Sequence, residues 1–328
     1  MVKILTVMYL TLGTLLNGTA IRAEEPVTLT EKWFVANDIS KTVVQATGEI
    51  TGFSVSDNNV SGSGTPENPW EIGADDSPES VTAYLTGENN NKTLYITGTG
   101  AMKDYYYDDV PWDNSRDSIN SLTIGEGVTN VGTYAVQNTK ITSVTIPSSV
   151  TNIGFQAFAF CENLQSITIT NDSGLTSIGD NAFSECTNLT SITIPSSVTS
   201  IGDEAFGGCS SLQSITFENN SELTSIGSHA FCSCKLTSVT IPSSVTSIGH
   251  FAFSSDDLET VTFERGTAGR EIEINQAFMS MSGKAKVGYG TAGNTILFDK
   301  NKNKELKIND LLCNISGTFI WKTTVVLK

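Results

Sequence analysis

Six cysteines are the residues of this 328-residue sequence with the clearest chemical potential. Four of them recur at one position of a repeated phrase, three residues after a phenylalanine: Cys161, Cys186, Cys209 and Cys234. Thiols at such a spacing could form disulfides or bind a metal ion. The short Cys-x-x-Cys spacing of zinc motifs is absent, and side chains that run parallel on neighbouring strands are poorly oriented for a disulfide. We therefore predict buried free thiols that pack as small apolar side chains.

The cysteine position is not kept throughout the repeats. The next two copies place Asp256 and Met281 there, which also argues against a metal site. Cys232 breaks the pattern two residues before Cys234 and is the best candidate for an exposed or reactive thiol. Cys313 stands alone near the C-terminus.

The two histidines occupy different positions of the repeat. His229 lies three residues after an isoleucine, whereas His250 lies two residues after one. Their side chains should point in different directions, so a metal-binding histidine pair is not expected.

One dense acidic and aromatic cluster precedes the repeats. Asp104, Asp108 and Asp109 surround three consecutive tyrosines, but the spacing of the carboxylates lacks the order of an EF-hand calcium loop. We expect a loop that contacts a ligand or covers the first repeat. Its candidate contact residues are Tyr105, Tyr106, Tyr107 and Trp112.

Catalytic motifs are missing from the sequence. It contains no H-E-x-x-H, no G-x-S-x-G and no phosphate-binding loop. We therefore predict a protein that is not an enzyme and that needs no metal and no cofactor.

The phrase that carries the cysteines recurs every 22 to 25 residues, counted between the aliphatic or aromatic residues that end each copy. These residues are Ile124, Ile146, Ile169, Ile194, Phe217, Ile241 and Phe263. A core such as Leu164-x-x-Ile167-x-Ile169 and a period of roughly 20–29 residues are typical of leucine-rich repeats. The alternation of apolar and polar residues predicts a strand with one buried face. We predict a solenoid of about seven to eight turns, with one strand per turn forming a parallel sheet on one side.

The rest of each repeat should close the turn of the solenoid. Prolines follow three strands and should end them, and a glycine marks a position that needs a positive φ or a close backbone approach. A phenylalanine then recurs and should stack inward behind the sheet. Those phenylalanines are Phe158, Phe183, Phe206, Phe231, Phe253 and Phe278.

The outward face of the predicted strands carries two columns of hydroxyl groups almost free of charge. The candidate binding residues on this face are Thr145, Thr168, Thr193, Thr216, Thr240, Thr262, Ser166, Ser191, Ser214 and Ser238. Such columns suit solvated strands, and they could equally form an extended surface whose weak contacts add through multivalency. Because the columns lack Trp, Tyr and Arg, one tight and specific ligand is not expected there.

The ends of the chain do not repeat. Residues 1–23 have the charged start, apolar run and small residues of a signal peptide. Residues 24–118 should form a β-rich N-terminal cap, with a hairpin from Ser80, ahead of repeats at 119–281. Residues 282–328 should form an irregular C-terminal cap. We expect a secreted or cell-surface protein without a transmembrane segment.

The phrase VTSIGDEAFGGCSSLQSITF, residues 198–217, resembles the BspA-type leucine-rich repeat of bacterial cell-surface proteins. The resemblance covers residues 94–281, including a segment that often precedes such arrays. It implies a role in adhesion to host matrix proteins or to other cells.

These observations predict an adhesin-like interaction protein whose partner is a protein or glycan on a host or neighbouring cell. The formal charge of −16 argues against binding nucleic acid or an anionic membrane surface. Two alternatives remain open: a hydroxyl surface that binds ice or an insoluble polysaccharide, and an envelope enzyme with its site in the non-repeating ends.

Overall fold

The computed structural model describes residues 61–107, 109–170, 172–279, 283–291, 295–302, 304–313 and 315–323, and the backbone of four short strands before residue 51. The chain forms two compact units, Met1–Val60 and Ser61–Lys328. In the first, β1 (Val27–Thr28) pairs with β4 (Glu49–Ile50), and β2 (Trp33–Val35) pairs with β3 (Val43–Gln45), both antiparallel. The segment predicted as a cap, residues 24–118, therefore spans both units. The predicted signal peptide, residues 1–23, lies outside the described residues.

A four-stranded sheet opens the second unit. It contains β5 (Trp70–Glu71), β6 (Val81–Glu88), β7 (Asn91–Gly98) and β8 (Ile119–Ile124), in that order. Strands β6 and β7 form the predicted hairpin, whose turn places Asn89 at a φ of 52°. Short 3-10 helices at Pro78–Ser80 and Asp113–Ser118 precede β6 and β8. Because β8 pairs in parallel with β7, the cap sheet leads directly into the first turn of the solenoid.

The repeats form a parallel β-solenoid of about eight turns with almost no helix, as predicted. Each turn contributes a long strand and then a short strand, rather than the single strand expected from the sequence. The seven turns that have both are β8 and β9 (Asn130–Val131), β10 (Ser143–Ile146) and β11 (Asn152–Ile153), β12 (Ser166–Ile169) and β13 (Ser177–Ile178), β14 (Ser191–Ile194) and β15 (Ser200–Ile201), β16 (Ser214–Phe217) and β17 (Ser225–Ile226), β18 (Ser238–Ile241) and β19 (Ser247–Ile248), and β20 (Thr260–Phe263) and β21 (Glu271–Asn275).

The short strands, rather than the long ones, form the continuous sheet. The short strands β9, β11, β13, β15, β17, β19 and β21 pair in parallel from turn to turn. Matched residues such as Ser177 and Ser200 lie side by side. The long strands instead form separate groups, β10 with β12, β14 with β16, and β18 with β20. The long-strand face therefore has three seams, which lie before β10, β14 and β18.

Proline explains where the seams fall. Within a group, the residue after the second strand donates its N–H to the last carbonyl of the first strand, as Glu218 does to Ile194 at 3.0 Å. Strands β10, β14 and β18 are instead followed by prolines, which have no N–H to donate to the preceding strand. Those prolines are Pro147, Pro195 and Pro242. The prolines thus both end the strands, as predicted, and divide the sheet.

The core of the solenoid is a stack of phenylalanine rings, as predicted. From Phe158 to Phe278 successive ring centroids lie 5.0 to 5.6 Å apart with interplanar angles of 4 to 11°. Each ring is buried, and each main chain around it donates N–H groups to the next turn, as Phe158 does to Ala182. The aromatic stack and a backbone ladder therefore run together along one side of the solenoid.

The recurring glycines are needed for close backbone approach and not for a positive φ. A Cβ on Gly202 would lie 2.5 Å from the amide nitrogen of Asp180, and one on Gly227 would lie 2.4 Å from the carbonyl carbon of Gly202. The positive φ values fall instead on the residue two positions later, such as Glu204 at 54°.

The C-terminal segment is more regular than predicted. The solenoid continues past residue 281, because β22 (Lys286–Tyr289) pairs in parallel with β20. Strand β25 (Ser316–Thr323) then covers the last short strand, β21, in antiparallel register. Strands β23 (Thr295–Asp299) and β24 (Lys304–Glu305) extend this sheet to its edge. Strands β23, β24 and β25 therefore form an antiparallel cap that covers the end of the solenoid.

Candidate interaction surfaces

The hydroxyl columns of the long strands lie at the surface. Within each group they are in register, so that Thr193 lies beside Thr216 and Ser191 beside Ser214. All ten predicted binding residues are exposed except Thr262, which is half-buried beside Gly288. Between the described residues, no hydrogen bond is recorded for the ten hydroxyl groups. These hydroxyls are therefore available to water or to a ligand.

The seams divide the hydroxyl columns into short patches. The second strands of the first two groups, β12 and β16, leave their apolar side chains partly accessible at a seam. These side chains, all half-buried, are Ile167, Ile169, Ile215 and Phe217. The surface is consequently a series of paired strands with apolar margins, not one uninterrupted lattice.

A second threonine column, missed in the sequence reading, serves the fold. Its members lie just before the short strands, and each hydroxyl donates to the carbonyl of the equivalent threonine one turn earlier, as Thr199 does to Thr176 at 3.0 Å. The donors are Thr151, Thr176, Thr199, Thr224 and Thr246. The sequence signal was present in each T-S-I-G or T-N-I-G phrase, but an internal hydrogen bond cannot be distinguished from an exposed hydroxyl without the turn geometry.

The four repeated cysteines are buried free thiols, which confirms the prediction. Each thiol donates to a backbone carbonyl of the preceding turn, as Cys209 does to Phe183 at 3.2 Å. Burial raises the pKa of Cys161 to about 11 and that of Cys209 to about 12, and it also raises the pKa of Cys186 and Cys234. These thiols are protonated donors inside the fold rather than nucleophiles.

The next turn corrects the assignment of Asp256 to the cysteine position. Ser255, not Asp256, is the buried residue there, and its hydroxyl donates to the carbonyl of Cys234 at 2.6 Å. Ser255 lies two residues after Phe253, so the predicted spacing of three residues does not hold in this turn. Met281 lies outside the described residues. Cys232 and Cys313 are half-buried, more accessible than the repeated four.

The histidine side chains meet edge to face instead of converging on one point. The ring centroids of His229 and His250 are 6.1 Å apart, and His250 Nε2 lies 2.9 Å from Gln276 Oε1. Phe251 packs against both rings. Among the residues that the structure describes, no group of three or more His, Cys, Asp or Glu side chains could hold a metal ion.

The loop residues before the first repeat, 103–107, 109 and 110, are here called the cap loop. Two of the four predicted contact residues are corrected by their burial: Tyr105 is 4% exposed and Trp112 is 1% exposed, so neither can meet a partner. Trp112 instead donates its indole N–H to the carbonyl of Ala135. Tyr106 and Tyr107 are 73% and 54% exposed and remain available.

The exposed tyrosines are continued by aromatic residues of the first repeats. The ring of Tyr134 lies 6.1 Å from Tyr107 and 5.3 Å from Phe155, and both pairs are edge to face. Tyr134 and Phe155 were not singled out from the sequence, although Tyr134 lies two residues after Gly132 and Phe155 one residue after Gly154. Their neighbourhood depends on the rise from one turn to the next, which the sequence alone does not display.

Acidic residues of the cap loop have structural roles. Asp104 is exposed and accepts the N–H of Thr133 at 2.8 Å, whereas Asp109 is buried. Asp108 lies outside the described residues. No helix in the described part of the chain is long and apolar enough to cross a bilayer.

The sequence profile of the BspA type leucine rich repeat region matches six copies, in residues 114–188 and 176–284. None of the curated proteins compared with the sequence matches it significantly. Among solved structures, the pneumococcal vaccine antigen PcpA is 26% identical, with 58% of this chain and 50% of that chain covered and a TM-score of 0.38. The chain thus spans about half the length of that antigen.

Two other solved structures are also similar to this chain. A leucine-rich repeat protein of Eubacterium ventriosum is 24% identical over 65% of this chain and 71% of its own, with a TM-score of 0.39. A leucine rich cell surface protein of Faecalibacterium prausnitzii is 29% identical over 56% of this chain and 53% of its own, with a TM-score of 0.34.

Proposed function

From the premise that this chain belongs to the BspA-type leucine-rich repeat family, we propose that it is an exported, non-catalytic, adhesin-like protein. It binds protein or glycan partners on host matrix or on neighbouring cells. The observation that carries the proposal is a repeated, exposed surface whose hydroxyl groups take no part in holding the fold.

The contrast between the two threonine columns supports this assignment. Thr199 and its equivalents stabilise the solenoid by donating to the preceding turn, whereas Thr193 and its equivalents point to solvent. Threonine thus stabilises the fold at one position of the repeat and has no recorded hydrogen bond at the other, exposed position. This contrast is consistent with an exposed surface that is used for contact. Because equivalent patches recur on successive groups of strands, weak contacts can add to useful avidity.

The seams favour an adaptable partner over a crystalline one. Ice or an insoluble polysaccharide would need a regular lattice, and the proline seams before β10, β14 and β18 interrupt the hydroxyl columns. Thermal hysteresis, or retention on insoluble glycans, would support that alternative instead. An envelope enzyme with its site in the non-repeating ends would be supported by hydrolase activity that residues 24–118 alone also show.

The test is binding of the chain without its predicted signal peptide to immobilised matrix proteins, glycans and whole cells. A double variant, Thr193→Lys with Thr216→Glu, places bulky charges on the exposed surface while keeping the net charge. Its matched control, Asn163→Lys with Ser210→Glu, changes two exposed residues outside the long strands. We expect saturable binding that only the first variant weakens. Equal binding by both variants would move the site off the long strands, and no binding to any partner would contradict the proposed function.

A further inference from the structure

The cap loop and the first two repeats bring three aromatic rings together at the surface. Tyr107, Tyr134 and Phe155 form a chain of edge-to-face contacts with interplanar angles of 81 and 86°. Tyr106, which precedes Tyr107 in the chain, is 73% exposed. We call these four residues the aromatic patch. Exposed tyrosines of this kind are enriched where binding energy is concentrated in protein interfaces.

The patch is held in place from beneath. The buried guanidinium of Arg116 donates to the carbonyl of Tyr107 at 2.9 Å, to Asp113 at 2.6 Å and to the carbonyl of Gln137. Trp112 is tied to the first turn through its indole N–H. The loop is thereby fixed before any partner arrives, so that binding does not have to order it.

The two segments that carry the patch have a net negative charge. Residues 61–118 contain eleven acidic and three basic side chains, and residues 119–264 contain thirteen acidic and two basic ones. Residues 265–328 reverse the balance, with ten basic and five acidic side chains. The net charge of −16 is thus a property of the cap and the solenoid rather than of the whole chain, and the part that carries the patch would attract a cation.

Aromatic faces attract cations too. The quadrupole of a tyrosine or phenylalanine ring draws a guanidinium or ammonium group to its face, most strongly for arginine. Rings in an edge-to-face chain point their faces in alternating directions, which suits separate cationic side chains better than the flat stacking of a sugar ring. The net negative charge of these segments and the exposed aromatic rings therefore both favour a cationic partner.

We propose that the aromatic patch docks a protein segment bearing arginine or lysine side chains. The proposal rests on the proposed interaction function and adds the chemistry of the partner. The rings supply the contact faces, Arg116 positions the loop, and the acidic solenoid steers the cationic segment towards it.

The test uses fluorescence anisotropy with a labelled peptide of four Gly-Arg repeats, and with Gly-Glu and Gly-Gln peptides of the same length. We expect the arginine peptide alone to bind, more weakly at high salt. The variants Tyr107→Ala and Phe155→Ala should each weaken binding about two- to five-fold. Phe160→Ala is the matched control, since Phe160 is 42% exposed but lies outside the patch, and it should leave binding unchanged.

The outcomes separate this proposal from the broader function. Equal binding by Phe155→Ala and the unchanged chain would mean that charge alone attracts the peptide, and this would overturn the patch. Binding of the Gly-Gln peptide or of neutral oligosaccharides through the patch would overturn its assignment to a cationic segment. If the panel of matrix proteins and cells shows binding that the arginine peptide does not compete with, the docking proposal falls and the proposed function stands. If the arginine peptide binds and the ring variants weaken that binding, but the panel shows no binding, the patch proposal stands and the adhesin-like role is overturned.

Discussion

The rings of Phe158 and Phe183 lie 5.0 Å apart and within 5° of parallel. This spacing is close to the distance of about 4.8 Å between neighbouring strands. Each turn therefore places its ring directly on the ring of the turn before, and the aromatic stack follows the rise of the backbone. An interior ring has both faces covered by its neighbours, so the stack links the stability of each turn to the next.

Removing an interior ring should be costly. Phe206 has ring neighbours on both sides, at 5.3 and 5.2 Å, and is fully buried. We expect Phe206→Ala to lower the free energy of unfolding by about 3–5 kcal/mol, measured by urea denaturation. Phe160→Ala, at a half-exposed phenylalanine, should change it by less than about 1 kcal/mol. Similar losses for the two variants would show that the stack does not hold the turns together.

The aromatic stack, the parallel solenoid and the buried thiols could be predicted because each follows from a residue type repeated at a fixed interval. Six phenylalanines at one position of the phrase have one common environment, which must be the core. The division of the long-strand sheet could not be predicted in the same way. It depends on which turns carry proline, because proline has no N–H to donate to the last carbonyl of the preceding long strand. Pro195, which follows β14, thus has no N–H for the carbonyl of Ile169 at the end of β12.

The recurring glycines should not tolerate even one added carbon. A Cβ at residue 202 would meet the main chain of Asp180 at 2.5 Å, and backbone atoms cannot move aside cheaply. We expect Gly202→Ala to destabilise the protein by about 1–3 kcal/mol, seen as a lower midpoint of thermal unfolding. Gly125→Ala is the matched control, because its nearest backbone or side-chain atom would be 3.5 Å away. A control that is as damaging as Gly202→Ala would contradict the role of close approach.

The two threonine columns should respond differently to loss of the hydroxyl. Thr199→Val removes the donor that reaches the carbonyl of Thr176 at 3.0 Å and keeps the branched shape. We expect a loss of about 0.5–1.5 kcal/mol in the free energy of unfolding. Thr193→Val, on the exposed long strand, should change it by no more than about 0.5 kcal/mol. The reverse order would mean that the exposed column, not the internal one, stabilises the solenoid.

The candidate surfaces show the limit of repeat analysis most clearly. The hydroxyl columns were predictable because alternation along a strand fixes which residues face out. The aromatic patch was not, because Tyr107 belongs to the cap loop, while Tyr134 and Phe155 occupy successive positions after the glycine in two different turns. Only the stagger between turns brings these rings within contact, and a buried side chain, Arg116, sets the position of the loop.

Thiol reactivity should divide the cysteines into two sets. Cys232 and Cys313 are half-buried, and the repeated four are buried with a raised pKa. We expect a thiol reagent at pH 8 to modify the two accessible residues of the native protein first and the other four only after unfolding. Mass spectrometry of the modified peptides identifies the sites. Early modification of Cys186 or Cys209 would contradict the packing of the solenoid.

Burial of the repeated thiols should also make the fold sensitive to alkali. Burial raises the pKa of Cys161 from 9.0 to about 11, so the folded state holds this proton more tightly than the unfolded chain does. The resulting stability is fully present below pH 9 and is lost as the pH rises through about 11. At pH 10.5 this single group should have cost roughly 2 kcal/mol. Because tyrosines and lysines titrate over the same range, the informative quantity is the difference between the unchanged chain and Cys161→Ala. We expect urea denaturation to give a smaller loss of stability between pH 8 and pH 10.5 for the variant, and equal losses would mean that Cys161 is already accessible to solvent in the folded protein.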